Sequence, residues 1–195
     1  MKGMASMGAR APRRGKQQGF SALELLGVLI VGLVLLALAA VLVTTLFNRN
    51  AVNDVVRQTS STVSDIRGYY SLQSSCAGLN NALATSANML PDDMLVAAGG
   101  GGGGTNIVHA LGGTVTVSCT TLNGVGNQGI SLALDGIESG ATCTKLTSAF
   151  ASIFDTLSVG GTAVKAFGAD LDLAAAGPAC SASNAVTITG VAQRV

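Results

Sequence analysis

From Leu25 to Leu46 the chain runs 22 residues without a charge, a proline or an asparagine. A helix of about 20 apolar residues spans a hydrocarbon core about 30 Å thick and satisfies its own backbone hydrogen bonds. Beyond Phe47 polar residues enter, but Val52, Val55, Val56, Thr59, Val63, Ile66 and Tyr70 recur at steps of three or four, drawing one apolar stripe. No proline interrupts residues 20–75. The pattern predicts one helix from Phe20 to Ser74. Its first half (residues 20–47) is apolar all round and fit for a membrane; its second half (residues 48–75) has a single face that must pack on something.

After Cys76 the period changes. Thr114–Thr120, Gly129–Asp135 and Ala185–Thr189 alternate apolar and polar positions, as half-buried strands do. A weaker strand pair lies around Thr156–Ala166, with Gly160-Gly161 as its tight turn. Between them Ser139–Phe154 reads as a helix with Ala141, Leu146, Ala149, Phe150 and Ile153 on one face. Leu79–Leu95 reads as one or two short helices broken at Pro91. Residues 76–195 are therefore expected to form an α+β head.

Charge sharpens the front of the chain. Only 11% of residues are charged, and the net charge of +1 hides an asymmetry. Residues 1–19 carry Lys2, Arg10, Arg13, Arg14 and Lys16 with no acid, a balance of +5, which leaves the remainder at −4. A basic segment before an apolar run stays in the cytoplasm and directs the C-terminal part outward. An acidic remainder with few aromatics argues against nucleic-acid binding. A simple secretory signal fits less well, because the small-residue pattern Ala37-Leu38-Ala39 lies inside the apolar run. Glu24 stands at the edge of that run with no partner nearby in sequence. A carboxylate there is costly unless paired or hydrated and so often marks function, but taken by itself an interfacial Glu at a helix N-terminus, wetted by headgroups, is the better account.

From Lys16 the sequence reads Lys-Gln-Gln-Gly-Phe-Ser-Ala-Leu-Glu-Leu-Leu-Gly. A basic leader ending in Gly19, then Phe20, then Glu24, then an uninterrupted apolar stretch resembles a type IV prepilin. The resemblance implies that a prepilin peptidase cuts between Gly19 and Phe20. Phe20 then becomes the N-methylated first residue of a 176-residue mature chain. It implies that Glu24 pairs with the freed amine of a neighbouring subunit, setting axial register. It also implies that the amphipathic half of the helix packs on an antiparallel sheet. The head is similar to the type IVb subclass in particular, in Met89–Met94, in Gly112–Val117 and in the helix carrying Cys143 that precedes a strand; the long leader agrees.

Four cysteines, Cys76, Cys119, Cys143 and Cys180, all come after the apolar run, where an oxidising compartment favours two disulfides. Three pairings are open on spacing alone. The resemblance implies Cys143–Cys180, closing a C-terminal loop, and hence Cys76–Cys119. No Cys-x-x-Cys spacing exists and His109 is the lone histidine, so zinc is a poor fit and no cofactor is expected. Catalysis has no signature: neither a nucleophile elbow nor a phosphate loop occurs, and the glycines at 99–104 lack the following Lys-Ser/Thr. Asp92-Asp93 are expected to open a helix after Pro91. Asp170 and Asp172 raise a calcium alternative, as in some secretion pseudopilins. The expected protein is a non-enzymatic, self-polymerising type IV pilin, passing from the inner membrane through the assembly machinery to a surface filament for adhesion, aggregation, conjugation or motility. The rivals are a minor pilin, a type II secretion pseudopilin, or a single-pass anchored binding protein that never polymerises.

Overall fold

The computed structural model describes residues 22–97 and 105–194. The chain divides between Thr44 and Thr45, and the compact C-terminal unit, Thr45–Val195, holds the sheet and its helices. In chain order the elements are α1 (Ala22–Tyr70), α2 (Asn81–Ser86), a 3-10 turn (Asp92–Met94), β1 (Leu95–Ala97), β2 (Thr105–Ile107), β3 (Val115–Leu122), β4 (Val125–Glu138), α3 (Ala141–Phe150), β5 (Thr156–Val159), β6 (Thr162–Lys165), α4 (Leu173–Ser181) and β7 (Ala185–Gln193). Five strands form one antiparallel sheet in the order β3-β4-β7-β5-β6, and β1 and β2 pair separately as a short ribbon.

The predicted strands are present, and β4 and β7 are longer than their alternation implied. Gly190 sits at the centre of the sheet, opposite Leu132 of β4 and Leu157 of β5. Its missing side chain makes room for the Phe154 ring, whose carbons lie 2.4 Å from where a Cβ would stand. Phe154 meets Phe150 edge to face, and both are buried. A break in the β4–β7 register between Leu134 and Ile137 coincides with Gly136, whose φ of +76° a side chain would resist.

Within the C-terminal unit, Val55, Val63, Ile66 and Tyr70 of α1 are buried in the same core as Ile130, Leu132, Leu134 and Ile188. The stripe read from sequence is the packed face. Gln58, Thr59 and Thr62 lie on it too, buried although polar. α1 ends at Tyr70, four residues before the sequence expectation, where Arg194 Nη1 donates to the carbonyls of Tyr70 (2.9 Å) and Gln73. A cation at the last carbonyls satisfies groups that the helix leaves open.

Tyr70 carries an anomaly: among the described residues its buried hydroxyl has no hydrogen-bond partner, and burial, aided by Tyr69, pushes its pKa up. An unpaired buried hydroxyl costs about 1–3 kcal/mol. Tyr70→Phe is expected to raise stability by about 1 kcal/mol, read as an increase of roughly 2–4 °C in a thermal melt.

The helix expected over Ser139–Phe154 is shorter, because after Phe150 the chain turns, and Lys165 Nζ donates to Ala151 O and Phe154 O. Its buried face is Cys143, Leu146, Thr147 and Phe150, while Ala141 is exposed. Two elements were not expected, the β1–β2 ribbon and α4. Asn80 caps α2, its side chain accepting from Leu83 N–H. Asn81 turns toward the sheet, its Oδ1 accepting from Val117 N–H at 2.6 Å and its Nδ2 donating to Val115 O at 3.2 Å on the free side of β3. At the other margin, Asp172 N–H donates to Val164 O of β6.

Candidate functional site

In the N-terminal unit, α1 presents ten large aliphatic side chains between Leu26 and Leu38, each 54–69% exposed. Exposed apolar surface of that extent marks a contact face. Among the described residues no helix is long and apolar enough to cross a membrane. The expected span, Leu25–Leu46, has described side chains only over 26–38. The leader, Gly19 and Phe20 lie outside the described residues, as do the Glu24 side chain and the glycine run at 99–104.

In the C-terminal unit, polar groups fix α1 to the head. Gln58 Oε1 accepts from Ala110 N–H at 3.1 Å. A hydrogen bond from Gln58, backed by Arg57, holds the Asp93 carboxyl below its ordinary pKa, and the Arg57–Asp93 pair closes at 2.8 Å. Asp93 thus lies within the 3-10 turn that Asp92 opens, and its carboxylate receives α1. Arg67 Nε donates to Gln193 O at 2.9 Å, and Asp155 accepts from Gln193 N–H at 2.6 Å. With Arg194, these groups fasten the last strand to the end of α1. Nothing in the spacing of Gln58, Arg67 or Arg194 foretold these contacts: Ala110, Gln193 and Tyr70 lie 52, 126 and 124 residues away from them.

The cysteines pair as the resemblance implied: Cys76–Cys119 with Cα atoms 5.5 Å apart, and Cys143–Cys180 at 5.6 Å. The first joins the segment after α1 to β3, and the second joins α3 to α4. Thr147 Oγ1 lies 3.9 Å from Cys143 Sγ and 3.7 Å from Cys180 Sγ.

Asp172 and His109 have structural partners. Asp172 Oδ1 accepts from Ala174 N–H (2.9 Å) and Ala175 N–H (3.1 Å), so this carboxylate caps α4. Among the described residues no group of three or more His, Cys, Asp and Glu side chains could hold a metal ion. His109 is buried with both ring nitrogens engaged, Nδ1 by Leu111 N–H and Nε2 by Asp135 O.

A family model described as PilS N terminal matches residues 45–192. The chain belongs to that family. The PilS match covers the packed half of α1, the sheet and both disulfides. Among solved structures the chain is similar to a type IVb pilin from Salmonella typhi, at 13% identity and a TM-score of 0.52. The alignment covers 71% of this chain and 97% of that one. At this identity the likeness speaks for the fold, and together with the PilS match it bears out the type IVb expectation. The search of curated proteins returned no match.

Proposed function

We propose that this chain is the structural subunit of a type IVb pilus. The observation that carries the reading is the PilS match over residues 45–192, joined to an α+β head with a type IVb pilin fold. In this reading residues 1–19 are a cytoplasmic leader, and the precursor waits in the inner membrane with its apolar helix in the bilayer. A prepilin peptidase hydrolyses the Gly19–Phe20 bond, and the Phe20 amine is methylated. The inner-membrane assembly machinery then stacks the subunits into a surface filament, burying the face that Leu26–Leu38 exposes. The head carries whatever contact the filament makes, in adhesion, aggregation, conjugation or motility. No step asks the chain for chemistry of its own.

Intact-protein mass spectrometry of the chain recovered from its native cell tests the reading. The expected product begins at Phe20, carries one added methyl group and lacks four hydrogens to the two disulfides. A chain that keeps Met1, or that starts near Val41, would instead belong to a membrane-anchored protein that does not polymerise.

A further inference from the structure

The residues around His109 form an arrangement that the filament reading does not use. This is the lone histidine of the chain, 2% exposed. Nε2 lies 2.9 Å from Asp135 O, and a carbonyl can only accept, so Nε2 carries the proton. Nδ1 lies 3.2 Å from Leu111 N, which can only donate, so Nδ1 is bare. The fold therefore holds one neutral tautomer of the ring.

The ring has no room to turn away. Gly113 lies against it so closely that a Cβ would stand 2.5 Å from Nε2 and 1.8 Å from Asp135 O. The same short loop closes on itself through His109 N–H to Gly113 O (2.9 Å) and Gly112 N–H to His109 O (2.8 Å). Between these bonds, Ala110 N–H reaches across to the buried Gln58 of α1. A proton added at Nδ1 would set two donors against each other inside this closure. An unpaired buried donor is costly, and a buried cation more so.

We propose that His109 is an acid-sensitive latch: protonation of Nδ1 breaks the Leu111 contact, opens the 109–113 loop and releases its hold on α1 at Gln58. The charged group of β4 that faces the ring is Asp135, whose carboxylate already accepts from Thr187 Oγ1 at 2.6 Å. α1 faces the loop with the neutral Gln58, and behind it stand Asp93 of the 3-10 turn and Arg57 of α1, paired with each other. Burial outweighs the attraction of Asp135 and holds the imidazole pKa below its ordinary value. The folded chain therefore binds this proton less readily than the unfolded chain does. The latch is fully closed above about pH 6.5, and its contribution to stability falls as the pH drops from there through the folded-state value. This device is independent of the filament reading, because it needs only the folded head.

The test uses the full-length chain in detergent micelles. The imidazole resonances of the single histidine are followed from about pH 8 to pH 4.5, alongside hydrogen exchange of the Ala110 and Leu111 amides corrected for intrinsic pH dependence. As His109 protonates, protection at Ala110 and Leu111 is expected to fall about tenfold or more, while Leu132 and Ile188 keep theirs. A histidine that titrates with Ala110 and Leu111 still protected overturns the latch, and so does protection lost everywhere at once. In a folded His109→Gln variant the pH-dependent loss should disappear, and its persistence there overturns the proposal. If that variant does not fold, the wild-type titration alone decides.

Discussion

Replacing Cys143 and Cys180 together by alanine is expected to destabilise the head by about 4 kcal/mol and lower its melting temperature by roughly 8–16 °C. The bridge closes a sequence separation of 37 residues, which sets the chain-entropy part of the loss. The local part comes from α4. That helix buries Ala176, Ala179 and Cys180, so apart from the bridge it offers the core little more than methyl groups. A methyl-sized contact contributes about 0.8 kcal/mol per buried carbon, too little to hold a nine-residue helix by itself. The double substitution avoids an unpaired thiol beside Thr147. Hydrogen exchange should show α4 opening more readily than β4 or β7. A melting temperature within about 2 °C of wild type would mean that the α3–α4 contact holds without its covalent link.

Glu24→Ala is expected to cut filament yield sharply while leaving the monomer folded. In the proposed assembly the faces exposed at Leu26–Leu38 close on one another, and water leaves the region. A carboxylate held there costs several kcal/mol unless it meets a cation, and the freed amine of Phe20 on the adjacent subunit supplies one. Removing the acid leaves that amine uncompensated, so subunits lose the contact that sets their axial step. Electron microscopy of cells producing the variant should show filament yield down by about tenfold or more, with the monomer, its circular dichroism and both disulfides unchanged. Glu24→Asp, which keeps the charge on a shorter arm, should recover part of the yield. Filaments of wild-type number and symmetry from Glu24→Ala would remove the register argument and leave the head fold intact.

Where one physical signal dominates, the sequence is easy to read. The stripe from Val55 to Tyr70 repeats at helical spacing and is the face that packs. The alternation in β3 and β7 and the Gly160-Gly161 turn between β5 and β6 fall where expected. The misses share a cause. The segment forming α4, Leu-Ala-Ala-Ala-Gly-Pro-Ala-Cys-Ser, has no amphipathic period and holds Pro178, and what makes it helical is the Asp172 cap and the tether at Cys180. Asp172, read as a possible calcium ligand, is that cap. The ribbon of β1 and β2 has three residues per strand, too few to show a period. Gln58, Asn81, Lys165 and Arg194 are polar residues for which no local pattern tells that they will cross the fold to a backbone partner. Gly19, Phe20 and Glu24 were read as a cleavage motif by resemblance, and Gly19, Phe20 and the Glu24 side chain lie outside the described residues.

Asn81 gives the sheet something akin to a false neighbour. With its amide on Val115 and Val117, and Asp172 on Val164 at the opposite end, backbone groups that could recruit a foreign strand are already engaged. A fibre crowds its heads together at very high local concentration for its whole lifetime, the condition under which unguarded edges stitch into cross-β aggregates. In the proposed filament, blunted rims of this kind would keep lateral crowding from becoming fusion and leave cohesion along the fibre to the helices.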